Sequence, residues 1–140
     1  MHISAHLINA RNAHSTTVAN NGHKQELAAA KSLGPGSSIN GGELLCLALA
    51  TCHCNDLYWN AERRGITLHR VEVEVTSEFQ GRGAPAAGIS YRPRIQGNVP
   101  EAELAGLLEE TDEVAEIQNA LRQECPVRFV GVWQDPDGSI

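Results

Sequence analysis

Glu43-Leu44-Leu45-Cys46-Leu47-Ala48-Leu49-Ala50-Thr51-Cys52 carries no charge after its first residue. Wound as a helix, the run is apolar on nearly all sides, the mark of a buried central helix. Glu43 places a carboxylate in the first turn, where the helix dipole favours it. The helix should continue to about Arg64, with Gly65 supplying the stop. Its second half turns polar through Asn55, Asp56, Asn60, Glu62, Arg63 and Arg64.

Upstream, residues 3–9 and 14–20 are rich in β-formers, with Ala10-Arg11-Asn12-Ala13 between them. They read as a hairpin. Asn20-Asn21-Gly22-His23 is a turn signal, and Gln25 to Ala30 reads as a third strand. Gly34 to Gly42 is a loop by composition. It lacks the Gly-Lys-Ser/Thr ending of a phosphate loop and reads as a plain connection.

Downstream, His69 to Thr76 alternates strictly at Val71, Val73 and Val75, the pattern of a half-buried strand. Gly88 to Gln96 reads as a second strand, held at an edge or bulge by Pro93. Pro100 opens a helix from its first turn. The helical pattern runs to Gln123 with a break expected near Thr111-Asp112. Val127 to Trp133 reads as a last strand and residues 135–140 as a polar tail. Together these elements predict one α+β domain over residues 1–140.

Composition narrows the function. The chain has 140 residues, 41 % of them hydrophobic and 20 % charged, which suits one globular domain with a real core. A net charge of −6 argues against nucleic-acid binding, which calls for a basic face. Met1 to His6 shows no basic region leading into an apolar one, so no secretory signal is expected. The run from Leu44 to Cys52 is too short to span a bilayer. The expected setting is cytoplasmic, without a membrane partner. There, four cysteines read as buried, catalytic or metal-binding rather than as a disulfide framework.

Helical geometry limits what these thiols can do together. Cys54 points roughly 200° away from Cys52, and Cys46 lies roughly 9 Å along the axis. Disulfide Cα atoms must come within about 7 Å, so neither can bridge Cys52 inside an intact helix. Cys125 is the remaining intramolecular candidate. It precedes Pro126, which disfavours helical geometry at the residue before it. Arg122, one turn earlier, would lower its thiol pKa. Asp56 and Trp59 share the face of Cys52; the first disfavours a thiolate and the second is a floor for a small pocket. A small buried hydrophobe and an active thiol both fit Cys52.

Cys52-His53-Cys54 invites a metal reading, but consecutive helical residues diverge by about 100° and do not converge on one ion. His2, His6, His14, His23 and His69 show no ligand spacing and read as surface or edge residues. Neither a metal nor a cofactor is expected.

Taken in order, Glu-Leu-Leu-x-x-Ala-Leu-Ala-x-Cys at 43–52, Asp56, and Cys-Pro-Val at 125–127 resemble the OsmC/Ohr family, the osmotically inducible protein C and organic hydroperoxide resistance proteins. The order of elements matches along most of the chain. The resemblance implies antiparallel sheets around a long buried central helix, in an intertwined homodimer with its sites at the subunit interface. It implies a thiol peroxidase acting on organic hydroperoxides. Cys52 matches the peroxidatic cysteine and Cys125 the resolving one, joined as a Cys52–Cys125 disulfide that an external dithiol, in the family a lipoyl group, resets. Glu43 matches the family's glutamate as the OsmC-like branch places it; the Ohr branch carries it one position earlier, here Gly42. Arg11 is the candidate for the family's N-terminal arginine, although it lacks the glycine-flanked setting usual in Ohr proteins. Trp59 and the helix leucines, Leu49 among them, would line a substrate pocket favouring an alkyl peroxide. A non-catalytic binding protein and a redox sensor on the same fold are the alternatives.

Overall fold

The computed structural model describes residues 1–10, 13–28 and 36–132. They fall into two compact units, one of Met1–Ala50 with Glu74–Arg92, the other of Thr51–Val73 with the chain from Pro93 onward.

The first unit opens with β1 (Ile3–Ala10), β2 (Ala13–Asn20) and β3 (His23–Glu26), an antiparallel sheet in that order. Ile3 faces Asn20 and Ala10 faces Ala13, so the expected hairpin is present. Asn21 and Gly22 join β2 to β3 with φ of 46° and 85°. Two successive positive φ values match the twist of the strands they connect. The Asn21 side-chain oxygen also accepts from the His2 amide at 2.8 Å, tying the start of the chain to this turn. The third strand begins at His23 and ends at Glu26, earlier at both ends than composition suggested. The sheet leaves Ile3 and Leu7 59 % and 52 % exposed.

The helix α1 spans Gly41–Arg63, and Gly65 follows with φ +68°. This agrees with the sequence to within two residues. Burial differs from expectation. Leu49, His53, Leu57, Asn60 and Ala61 are buried along one stripe, whereas Leu44 and Leu47 are 38 % and 60 % exposed. The described residues of one chain cover one face only.

Strands β4 (Leu68–Phe79) and β5 (Ala86–Gly97) pair as a two-stranded sheet. Thr76 meets Ser90, Glu74 meets Arg92 and Glu72 meets Arg94, each step forward on one strand matching a step back on the other. Val71, Val73 and Val75 are half-buried, as their alternation predicts. A two-stranded ribbon also leaves Pro93 without a central-strand amide to forfeit.

The second unit holds the core. Leu57 and Ala61 of α1 pack with Ile66 and Leu107, and Leu68, Val71, Ile95, Val99 and Leu108 surround them. Helix α2 covers Glu101–Val114, with Pro100 as its N-cap residue rather than its first helical one. Arg64 ties the end of α1 to α2. Its guanidinium donates to Glu110 at 2.9 Å, to Glu103 at 2.9 Å and to the Gly106 carbonyl at 3.1 Å. Deeper in, Asn60 donates to the Thr111 hydroxyl at 3.2 Å, and that hydroxyl donates to the Leu107 carbonyl at 2.7 Å.

Two sequence expectations need correction here. The break in the helical stretch falls at Ala115, not at Thr111-Asp112. Buried Ala115 is extended (φ −66°, ψ 98°) and redirects the chain into α3, Glu116–Arg122. Thr111 is helical and fully buried, its hydroxyl satisfied by the Leu107 carbonyl one turn back. The expected last strand is also absent from the described part of the tail, 127–132. Val127, Phe129 and Val130 are 97 %, 89 % and 94 % exposed. An extended segment becomes a strand when a neighbouring edge takes up its backbone N–H and C=O groups, and the described chain offers it none. Trp133 and the tail beyond it lie outside the described residues.

Candidate active site

Cys52 and Asp56 stand one turn apart on α1, so their side chains share a face. The break at Ala115 brings Glu116, the first residue of α3, to the same place. Cys52 Sγ lies 3.5 Å from Asp56 Oδ2 and 3.6 Å from Glu116 Oε2. The single S–H proton serves one carboxylate at a time. The Ile117 backbone N–H donates to the sulfur from the opposite sense, favouring the thiolate.

Electrostatics at this sulfur oppose ionisation. Partial burial pushes the Cys52 thiol pKa up, the Ile117 amide pulls it down, and Asp56 and Glu116 push it up again. Burial raises the Asp56 carboxyl as well, with its bond from Cys52 opposing and the charge of Glu116 reinforcing. Neighbouring His53 points into the buried interior. Desolvation holds its pKa below the usual imidazole value against the opposing charge of Asp112. It is a core residue of this helix, as its divergence from Cys52 requires.

Cys125 is an exposed free thiol, and Cys46, Cys52 and Cys54 are also free. The helix before it closes through its own backbone, and Pro126 follows that closure. Glu124 adopts φ 50°, its amide donates to the Leu121 carbonyl at 3.2 Å, and the Cys125 amide donates to the Ala120 carbonyl at 3.0 Å. This is a Schellman closure with a glutamate where glycine is usual. Arg122 pairs with Asp112, at 2.8 and 3.1 Å to its two oxygens, and so binds α3 to α2.

Glu43 has a local role that the structure makes plain. The Asn40 amide donates to Glu43 Oε2 at 2.7 Å, and the Glu43 amide donates to Asn40 Oδ1 at 2.9 Å. This reciprocal capping box satisfies two orphan donors at the start of α1. At Gly42 a Cβ would sit 3.1 Å from the Phe79 ring and 3.2 Å from Asn40 Oδ1, so a side chain there would press on the cap. Trp59 is 55 % exposed, with the Arg63 guanidinium 4.5 Å from its ring centroid. Leu49 is buried. Arg11 lies outside the described residues.

The family model for OsmC-like proteins matches residues 34–130, a span that includes Glu43, Cys52 and Cys125. The chain belongs to the OsmC-like family. Solved structures share its fold at low identity. An OsmC-like protein from Mycoplasma pneumoniae is 18 % identical with a TM-score of 0.61, over 86 % of either chain. An organic hydroperoxide resistance protein OsmC from Legionella pneumophila is 23 % identical with a TM-score of 0.56, over 87 % of this chain and 90 % of that one. An organic hydroperoxide resistance protein from Elizabethkingia anophelis is 19 % identical with a TM-score of 0.51, over 87 % and 89 %. No curated protein matches the sequence.

Glu116 of this OsmC-like chain was not legible as a site residue. It sits in an acidic helical stretch, and only the turn at Ala115 carries it to Cys52. Asp56 was legible, because one helical turn separates it from the thiol. Among the described residues no helix is long and apolar enough to cross a membrane.

Proposed function

We propose that this protein is a thiol-dependent peroxidase that reduces organic hydroperoxides. The observation that carries the reading is a half-buried free Cys52 within the family-matched span, receiving a backbone N–H at its sulfur. The Cys52 thiolate attacks the terminal peroxide oxygen, the O–O bond breaks, and the alkoxide takes a proton and leaves as alcohol. Cys52 becomes a sulfenic acid. The Cys125 thiol then displaces water to form the Cys52–Cys125 disulfide. An external dithiol, a lipoyl group for example, reduces that bond by exchange. Cytoplasmic reducing conditions suit this last step.

Two carboxylates beside Cys52 call for a compensating cation. Arg11 fills that role in this reading, oriented by Glu43 and reaching Cys52 across a homodimer interface. Exposed apolar groups support such a dimer: Leu44 and Leu47 on α1, Ile3 and Leu7 on the sheet, and Val127, Phe129 and Val130 in the tail. Trp59 is an exposed apolar group that α1 offers to an alkyl chain, whereas Leu49 is buried in the chain's own packing.

A redox sensor or non-catalytic binding protein is the second reading. The raised Cys52 pKa favours it, since a mostly protonated thiol attacks peroxide slowly. Stopped-flow consumption of cumene hydroperoxide with excess dithiol separates the two. Sustained turnover supports the peroxidase. One slow equivalent with disulfide formation supports the sensor, and no thiol loss supports the binding protein.

A further inference from the structure

Cys52, Asp56 and Glu116 present a sulfur and two carboxylate oxygens that all lie within 4.8 Å of one another. We propose that they form a binding site for a divalent cation of the zinc class, which holds Cys52 as a metal thiolate.

The spacing fits the ion. A tetrahedral zinc with Zn–S of about 2.3 Å and Zn–O of about 2.1 Å sets sulfur and oxygen roughly 3.6 Å apart. The observed separations are 3.5 Å to Asp56 and 3.6 Å to Glu116. The donors come from two elements, a one-turn pair on α1 and a third ligand at the start of α3. Three protein ligands leave a fourth position open for water.

Donor chemistry selects the ion class. A thiolate disfavours magnesium and calcium, which take oxygen donors, and suits zinc or cobalt. The Ile117 amide donating to Cys52 sulfur supplies the kind of outer hydrogen bond that orients a metal-bound ligand. Among the described residues, the groups acting on Cys52 are Asp56, Glu116 and the Ile117 amide. Binding replaces the S–H proton by the metal and involves no oxidant or reductant.

The regulatory consequence rests on the peroxidase reading: a metal-bound sulfur is withheld from peroxide, so the cation inhibits reversibly. Metal-free protein is titrated with cobalt(II), and zinc then competes in the presence of a chromophoric chelator. One equivalent per chain is expected, with a thiolate-to-cobalt charge-transfer band. C52S should abolish the band. D56N and E116Q should each weaken binding by about tenfold to a hundredfold. C125S should leave it intact. Absence of the band, a band that survives C52S, or one that is lost in C125S overturns the site.

Peroxide consumption is then measured in chelator and with one equivalent of zinc. Inhibition reversed by chelator supports the regulatory role, and full activity with zinc bound overturns it. If the chelated protein consumes no peroxide while the cobalt band is present, the peroxidase reading fails and the metal site stands.

Discussion

Glu116 Oε2 lies 3.6 Å from Cys52 Sγ, although 64 positions separate the two residues in the chain. The carboxylate reaches the thiol because buried Ala115 ends one helix and starts the next. The contact adds to burial and to Asp56 in raising the Cys52 pKa.

The thiol should respond to pH accordingly. Burial and the two carboxylates raise the Cys52 pKa, so its alkylation by iodoacetamide should be slow at neutral pH and accelerate into the alkaline range. E116Q removes one group that raises the pKa, so its profile should shift to lower pH. Peptide mass spectrometry in chelator-containing buffer resolves Cys52 from the other cysteines. An unchanged or upward-shifted profile in E116Q would show that Glu116 does not act on this sulfur in solution.

Attack and resolution should divide between two thiols. Cys52→Ser should abolish hydroperoxide consumption even in a single turnover. Cys125→Ser should consume about one equivalent, stall as a sulfenic acid, and over-oxidise to the sulfinic form under excess peroxide. A dead Cys125 variant beside a Cys52 variant that completes one turnover would reverse the assignment.

Glu43 can be tested in two ways at once. Asn40→Ala removes one half of the capping box and should cost about 1 kcal/mol in thermal or urea unfolding. Glu43→Gln keeps an acceptor that fits the box but removes the charge. Near-native stability with a fall in peroxide consumption would assign the carboxylate to the reaction. Near-native stability and activity would leave Glu43 as a helix cap alone.

Glu124 offers a stability gain. A non-glycine residue in the left-handed region costs roughly 1–2 kcal/mol. Glycine relieves that but adds unfolded-state entropy worth roughly 0.5–1 kcal/mol. Glu124→Gly should therefore stabilise by about 0.5–1 kcal/mol, a rise of roughly 2–4 °C in melting temperature for a chain of this size. A lower melting temperature would mean that Glu124 makes compensating contacts in the assembled protein.

The exposed apolar groups predict self-association. Sedimentation of the reduced protein should give a dimer, and Leu47→Glu, on the exposed face of α1, should shift it toward monomer. A folded wild-type monomer at dilute concentration would remove the dimer, and with it the route by which Arg11 was to reach Cys52.

Much of the architecture was open to local reasoning because local chemistry governs it. The Asn21-Gly22 turn, the stop at Gly65 and the alternation of Val71, Val73 and Val75 each follow from backbone preference or side-chain period. Cys52 and Asp56 share a face for the same reason. What lay beyond reach depends on contacts distant in sequence. Composition cannot say that Thr111 is buried against Asn60, 51 positions away in the chain. Nor can it say that buried Ala115 turns the chain and delivers Glu116 to Cys52. The residues from Val127 to Val132 have strand character but form no strand within the described chain, since a strand exists only where another edge pairs with it. Sequence alone determined the helix, the hairpin, the family pattern and the identity of the thiols. Tertiary structure decided which charges surround Cys52, because burial and cross-element distance, rather than residue type, set the electrostatics at a sulfur.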